Sequence, residues 1–235
     1  MTEYRIKIEL KSDTLIGSGE GFGALIDSDI VFDELGIPYI PGKRIKGILR
    51  ESYEEIIGLL SKNVSSSFSP PDDLFGKVGS GKETALVISN LYVKEYEDIR
   101  RHLQKLMVQH PEIFNFESVI EAYTSLRQQT AIDSDLGIAR EHSLRTIRVL
   151  NRGICFFGKI IDSEDILKKD HNKEILALAC MNIKRIGTQR TRGFGEVKWT
   201  FMEKRGSNWI ELTDKNLGFL IKNKDNPASP EAKEG

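Results

Sequence analysis

Only two of the 235 residues are cysteine, Cys155 and Cys180, and both lie in apolar runs. That setting predicts buried free thiols and excludes a disulfide framework or a cysteine metal site. Histidine is equally sparse: the four histidines are scattered and show no ligand spacing with the cysteines. No apolar run reaches membrane length and no signal segment opens the chain, so the reading is a cytoplasmic protein with no membrane contact. Net charge is missing too, with 34 basic residues against 35 acidic ones. Overall charge therefore gives no indication of a polyanionic partner.

The distribution of charge does. Lys43, Arg44, Lys46 and Arg50 follow one another with no acid between them. Arg140, Arg145, Arg148 and Arg152 face only Glu141, and Lys184, Arg185, Arg190 and Arg192 again have no acid among them. Three basic clusters on a neutral chain have the form of a nucleic-acid footprint. The first follows the Pro41-Gly42 turn and opens a helix. Cations there oppose the helix dipole, a placement that makes sense if a polyanion docks at the spot. Just upstream, Asp27, Asp29 and Asp33 lie on an extended segment, so acids able to do chemistry on a phosphate stand next to cations able to bind one.

Residues 3–10 alternate apolar and polar and read as a half-buried strand. Gly17, Gly19, Gly21 and Gly23 then form a loop, followed by extended stretches at 25–32 and 38–40. Ile45, Ile48, Leu49, Tyr53, Ile56, Ile57 and Leu60 make one stripe on a helix from about 43 to 60. Residues 61–83 read as a long loop. Its Gly76–Lys82 run approaches a P-loop, but Glu83 stands where a magnesium-binding hydroxyl belongs and a strand follows instead of a helix. A strand at 84–93, helices at 95–109 and 115–126, a hairpin or arm over 127–150, and a strand at 154–161 come next. A helix at 173–186 closed by Gly187, a strand at 194–202 and a short strand at 208–212 complete the pattern. The tail from 222 to 235 has little to bury and reads as disordered.

The principal elements run βαββαβ, an α+β, ferredoxin-like or RRM-like order. Residues 1–221 would form one such domain, carrying a helical insertion at about 94–126 and a thumb hairpin at about 127–150. In this topology the loop 187–195 should approach the start of the first helix. Gly187, Gly193 and Gly195 would let backbone approach a ligand, Arg190 and Arg192 offer forks for phosphate, and Phe194 a stacking face.

Here the motifs become specific. Ile40-Pro-Gly-Lys-Arg-Ile-Lys-Gly-Ile-Leu-Arg50 resembles the Pro-Gly and Lys-Gly-x-Leu-Arg signature of the RAMP superfamily of CRISPR-associated proteins. Arg185–Val197 is similar to that superfamily's glycine-rich loop, and Thr130–Arg145 resembles the thumb of the backbone subunit of type III effector complexes. The resemblance implies a subunit whose copies, with related RAMP and other type III subunits, line a CRISPR RNA guide. It also implies cleavage of a guide-complementary target RNA by an aspartate with Mg2+ or another divalent metal. Asp27 falls on the position of that aspartate and metal ligand, with Asp29 and Asp33 as second choices. The guide-contacting residues would be Lys43, Arg44, Lys46, Arg50, Arg140, Arg145, Arg148 and the 187–195 loop. Lys43-Arg44 departs from the small hydroxyl residues usual after the Pro-Gly.

Three other readings compete. A non-cleaving backbone or capping subunit would share every RNA-binding feature and differ only at Asp27. A guide-maturing endoribonuclease would need a histidine near the first helix or the glycine-rich loop, yet the first histidine is His102, in the helical insertion, and His142 lies in the thumb. A binding module unrelated to RNA would make the basic clusters plain solvated surface.

Overall fold

A computed structural model describes residues 2–17, 30–62, 68–77, 84–130 and 143–213. In chain order the elements are β1 (Tyr4–Leu10), β2 (Tyr39–Ile40), α1 (Gly42–Leu60), α2 (Pro71–Phe75), β3 (Leu86–Ile88), β4 (Leu91–Val93), α3 (Tyr96–Gln109) and α4 (Phe116–Tyr123). Then come β5 (Thr124–Gln129), β6 (Arg145–Leu150), β7 (Cys155–Asp162), α5 (Asn172–Asn182), β8 (Val197–Arg205) and β9 (Asn208–Glu211). Short 3₁₀ turns occur at Ile166–Lys168 and Arg190–Arg192.

The main sheet runs β2-β4-β7-β1-β8-β9, with β3 also paired to β7. Taking β3 and β4 as one interrupted strand, the centre is β4-β7-β1-β8, all antiparallel, which is the ferredoxin-like arrangement. Strand β1 lies between β7 and β8, and its alternation puts Tyr4, Ile6, Ile8 and Leu10 on the face covered by α1 and α5. Ile45, Leu49 and Tyr53 of α1 meet them, with Ile175, Leu176 and Ala179 of α5 and Phe156 and Phe201 of the sheet in the same core. Tyr53, fully buried, donates its hydroxyl to Asn172 Oδ1 at 2.8 Å, and burial raises its pKa.

Several boundaries differ from the periodicity reading, each for a physical reason. The strand expected over 84–93 breaks at Ser89-Asn90. Asn90 Oδ1 accepts from Gly42 N at 2.9 Å, supplying the cap that Pro41 has no side chain to provide. The helix expected to reach Gly187 ends at Asn182. Ile183 is extended there, and Ile183 and Ile186 are buried from a connecting segment that keeps helix-like spacing. Helix α4 ends at Tyr123, and the hairpin begins at Thr124, three residues before the expected limb. The 61–83 loop contains α2, whose Phe75 meets Tyr53 edge-on at 5.6 Å. Of the extended stretch expected at 25–32, Ile30 and Phe32 form isolated bridges. The tail at 222–235 lies outside the described residues. Among the described residues no helix is long and apolar enough to cross a membrane.

Candidate nucleic-acid interface

The chain leaves β1 through Lys11–Gly17, and the parts of the site gather around this short segment. The glycine-rich loop lies on one side of it: Gly195 N donates to Asp13 O at 2.9 Å, Thr188 N to Leu15 O at 3.0 Å, and Lys11 N to Glu196 O at 2.8 Å. On another side stands the β5–β6 hairpin. Thr14 and Leu150 exchange backbone hydrogen bonds, and Arg127 Nη2 lies 2.6 Å from Asp13 Oδ2. Gln129 Nε2 bonds Gln189 Oε1 at 2.6 Å, joining hairpin to loop directly. From the start of α1, Arg44 Nη1 donates to Gly17 O at 2.6 Å. The first-helix and glycine-loop clusters thus both reach Leu15–Gly17.

The individual cations divide into two sets. Lys43 is exposed at the start of α1, where no acid occupies the first turn. Arg190 and Arg192 are exposed on their 3₁₀ turn, held by Arg185 Nη1, which donates to Arg190 O at 3.1 Å and Phe194 O at 3.0 Å. None of these three, nor exposed Arg145, has an ion pair among the described residues. Lys46 and Arg50 point the other way. Lys46 Nζ donates to Thr84 Oγ1 at 2.9 Å, and burial, then Arg50, lowers its pKa. Arg50 binds Asp72 at 2.5 Å, Glu54 at 2.9 Å and Gly76 O at 2.5 Å, and the Asp72 bond raises its pKa further. These two cations fasten α1 to α2, to Gly76 and to Thr84. Arg148 is half-buried and donates to Thr124 Oγ1 at 3.3 Å. Arg140 lies outside the described residues.

The glycines separate likewise. At Gly187 (φ +80°) a Cβ would come within 2.2 Å of Leu15 O, and at Gly195 (φ +78°) within 2.0 Å of Ile186 O. Both serve close approach by the protein's own backbone, rather than by a ligand as the sequence suggests. Gly193 alone of the three faces open space. Phe194, expected to offer a free stacking face, packs against Leu15, Ile147 and Val149 at the hairpin base.

Between hairpin, loop and β1 exit lies an open cleft of about 560 Å³ lined by Lys11, Asp13, Arg127, Arg152, Arg192 and Phe194 among others. Asp13 is its acid, and that carboxylate is engaged by Arg127 and by Arg152 N at 3.3 Å. Lys11, Asp13 and Arg127 were missing from the sequence reading. They stand outside the basic clusters, and only the pairing of the hairpin base with the β1 exit brings them together.

Of the candidate acids, Asp33 is described. Its Oδ1 accepts from Leu35 N at 2.9 Å and Ile37 N at 2.8 Å, and its Oδ2 from Tyr96 Oη at 2.9 Å. Burial and this bond raise the tyrosine's pKa. Asp33 holds a turn against α3, with both carboxylate oxygens already in hydrogen bonds. Asp27 and Asp29 lie outside the described residues, in the segment that follows Gly17 and precedes Ile30, two residues that pair in a β-bridge. The described residues contain no group of three or more His, Cys, Asp or Glu able to hold a metal ion.

The RAMP superfamily model matches residues 7–198, spanning all three basic clusters, the hairpin and the glycine-rich loop. The chain belongs to the RAMP superfamily. Its fold is shared with a chain of a cryo-EM structure of the type III-B Cmr-beta complex bound to cognate target RNA. There the TM-score is 0.58 at 13% identity, over 85% of this chain and 97% of that one. A chain of the same complex in its apo state gives a TM-score of 0.57 at 12% identity, over 88% and 97%. No curated protein sequence matches.

Proposed function

We propose that this RAMP protein is a CRISPR RNA-binding backbone subunit of a type III effector complex. In that role it would assemble with copies of itself or related RAMP subunits, and cut guide-complementary target RNA through Asp27 with Mg2+ or another divalent metal. One observation carries the reading: Lys11–Gly17 is the common support of the glycine-rich loop, the hairpin base and Arg44. Cations from three distant stretches thereby border one surface, and the segment bearing Asp27 continues from its end. Lys43, Arg190, Arg192 and the cleft residue Arg152 are the phosphate contacts this reading assigns, and the hairpin is the thumb that separates segments of duplex.

Chemically, attack of a ribose 2′-oxygen on the adjacent phosphate forms a cyclic phosphate and breaks the bond to the 5′-oxygen, which leaves and takes up a proton; the 2′-hydroxyl must lose its own proton and the developing charge must be offset. A carboxylate at Asp27 would take the proton or hold the metal, and Lys43 and Arg44 would offset charge on the phosphate. A divalent ion, when bound, would add Lewis-acid neutralisation of that charge. With Asp33 and Asp13 both engaged in structural bonds, activity in this reading rests on Asp27, with Asp29 as the second choice. That dependence keeps the non-cleaving subunit as the second reading.

The deciding test assembles the complex on its guide and follows a complementary RNA with magnesium or chelator, using native chain and Asp27→Ala. Metal-dependent cuts that disappear in Asp27→Ala while target binding persists support the catalytic subunit. Target binding without cuts in both forms makes it a scaffold. Failure to associate with guide overturns the RNA reading. A companion measurement concerns Arg190→Ala with Arg192→Ala, which should weaken RNA binding without sequence preference. The slope of log affinity against log salt should fall by about 1.4, some 0.7 per lost phosphate contact on a single strand. An unchanged slope removes the loop from the interface.

A further inference from the structure

The face of the main sheet opposite α1 and α5 carries two register rows of contrasting chemistry. One row runs Tyr39, Tyr92, Phe157, Lys7, Thr200 across β2, β4, β7, β1 and β8. The next runs Lys159, Arg5, Met202, Glu211 across β7, β1, β8 and β9. In the first, Tyr92 lies 5.6 Å from Tyr39 and stacks on Tyr96 at 4.3 Å, forming a continuous run of rings ending beside Phe157. In the second, Arg5 and Lys159 stand directly opposite each other on adjacent strands, an arrangement that destabilises a sheet unless something offsets it. Neither has an ion pair among the described residues. Glu3, the carboxylate that feels both, is bonded to Lys204 Nζ at 2.7 Å. The Arg5 guanidinium lies 4.1 Å from the Trp209 ring centroid and 5.9 Å from that of Phe157, so it is held at the surface between two aromatic faces. A groove of about 590 Å³ runs alongside, lined by Arg5, Tyr92, Phe157, Lys159, Glu95 and Glu97 among others. Glu95 is paired with Lys94 at 3.2 Å.

We propose that this face is a second RNA-binding surface, on which unpaired bases of single-stranded RNA stack against Phe157 and Tyr92 while Arg5 and Lys159 take the adjoining phosphates. The charge argument selects the occupant. A protein interface core is depleted of charge, and covering an unpaired Arg5–Lys159 couple with apolar surface would strand two cations. A single strand supplies flat faces for the rings and anions for the couple at once. Phe157 sits on a central strand, the position from which sheets of this topology present stacking rings. The surface is distinct from the cleft at the hairpin base, so it stands or falls independently of the guide-binding reading.

The test measures the affinity of the full-length protein for fluorescent decauridine RNA by anisotropy. Tyr92→Leu with Phe157→Leu should weaken binding at least about tenfold, while Phe157→Tyr, which keeps a ring, should stay within about twofold. Arg5→Gln with Lys159→Gln should lower the salt slope by about 1.4. All these side chains are at least partly solvent-accessible, and unchanged thermal melting of each variant confirms folding. The comparison variant is Lys43→Ala, Arg190→Ala, Arg192→Ala. If the leucine pair binds as native protein does and only the comparison variant is weakened, the sheet surface is overturned and the guide reading stands. If the leucine pair loses binding and the comparison variant does not, the sheet surface is supported and the basic loop is not the RNA contact. Equal losses for Phe157→Tyr and the leucine pair would overturn the proposal, because stacking would not be the interaction measured. Photo-crosslinks from uridine to β4 and β7 peptides support it, and their absence from both overturns it.

Discussion

At the scale of single residues, the candidate interface is decided by what each side chain is already committed to. Lys43 and Lys46 lie three residues apart, yet one is exposed without an ion pair among the described residues and the other is tied to Thr84 with a lowered pKa. The glycines obey the same logic. A methyl group at Gly195 would meet Ile186 O at 2.0 Å as well as needing φ +78°, whereas at Gly193 only the positive φ, +85°, would stand against it. Gly195→Ala should therefore lower stability by about 2–4 kcal/mol and Gly193→Ala by about 1 kcal/mol. Urea denaturation of the two variants reads the difference directly, and equal losses would mean that the Ile186 contact relaxes freely. RNA affinity should survive better in Gly193→Ala, since the loop's attachment to the β1 exit is left intact.

At the scale of elements, the sequence was most legible where a periodicity coincided with burial on one face. The alternation of β1 and the stripe of α1 are both found with their apolar residues in the core, and the two-limbed arm before Asn151 is a paired hairpin. Legibility failed where the deciding partner is distant in the chain. Nothing near Asn90 announces that its side chain caps a helix 48 residues earlier, so the break between β3 and β4 was invisible. Ile183 and Ile186 satisfy helical spacing while buried from an extended segment, because spacing records which residues are apolar and not which backbone carries them. The basic clusters were visible in composition, but the partners that remove Lys46 and Arg50 from the interface, Thr84, Asp72 and Gly76, are 22 to 38 residues away. The Asn90 bond gives a prediction at this scale. Asn90→Ala leaves the Gly42 N–H without its acceptor and should cost about 1 kcal/mol, with faster amide exchange in the first turn of α1. If exchange rises evenly along α1, the bond contributes to packing in general and not to the helix start.

At the scale of the whole molecule, the hairpin is held at its base, where several contacts converge on the β1 exit and the glycine-rich loop. Ile147 and Val149 with Leu15 and Phe194 form a cluster separate from the main core, which β6 enters through Leu150 at its end. Asp13 adds to the Thr14–Leu150 and Gln129–Gln189 bonds: its carboxylate takes Arg127 of β5 and the N–H of Arg152 after β6, and its carbonyl takes Gly195 N. Loop, hairpin and β1 thus meet at this one residue. Arg127 is half exposed, so its pair with Asp13 is screened and contributes modestly. Asp13→Asn keeps the side-chain size and removes the charge, at a cost of about 0.5–1.5 kcal/mol. That loss should fall on the hairpin: amides of β5 and β6 should exchange about two- to tenfold faster, while those of Ile6 and Phe156 in the central strands keep their rates. Hydrogen exchange read by mass spectrometry on the full-length chain makes the comparison. Uniform acceleration across hairpin and sheet would show that they open as one unit, and the hairpin would then lack the mobility of its own that the proposed thumb role calls for. Acceleration confined to the hairpin would identify Asp13 as a point that sets the hairpin's angle against the glycine-rich loop, and with it the spacing between the cations that border the cleft.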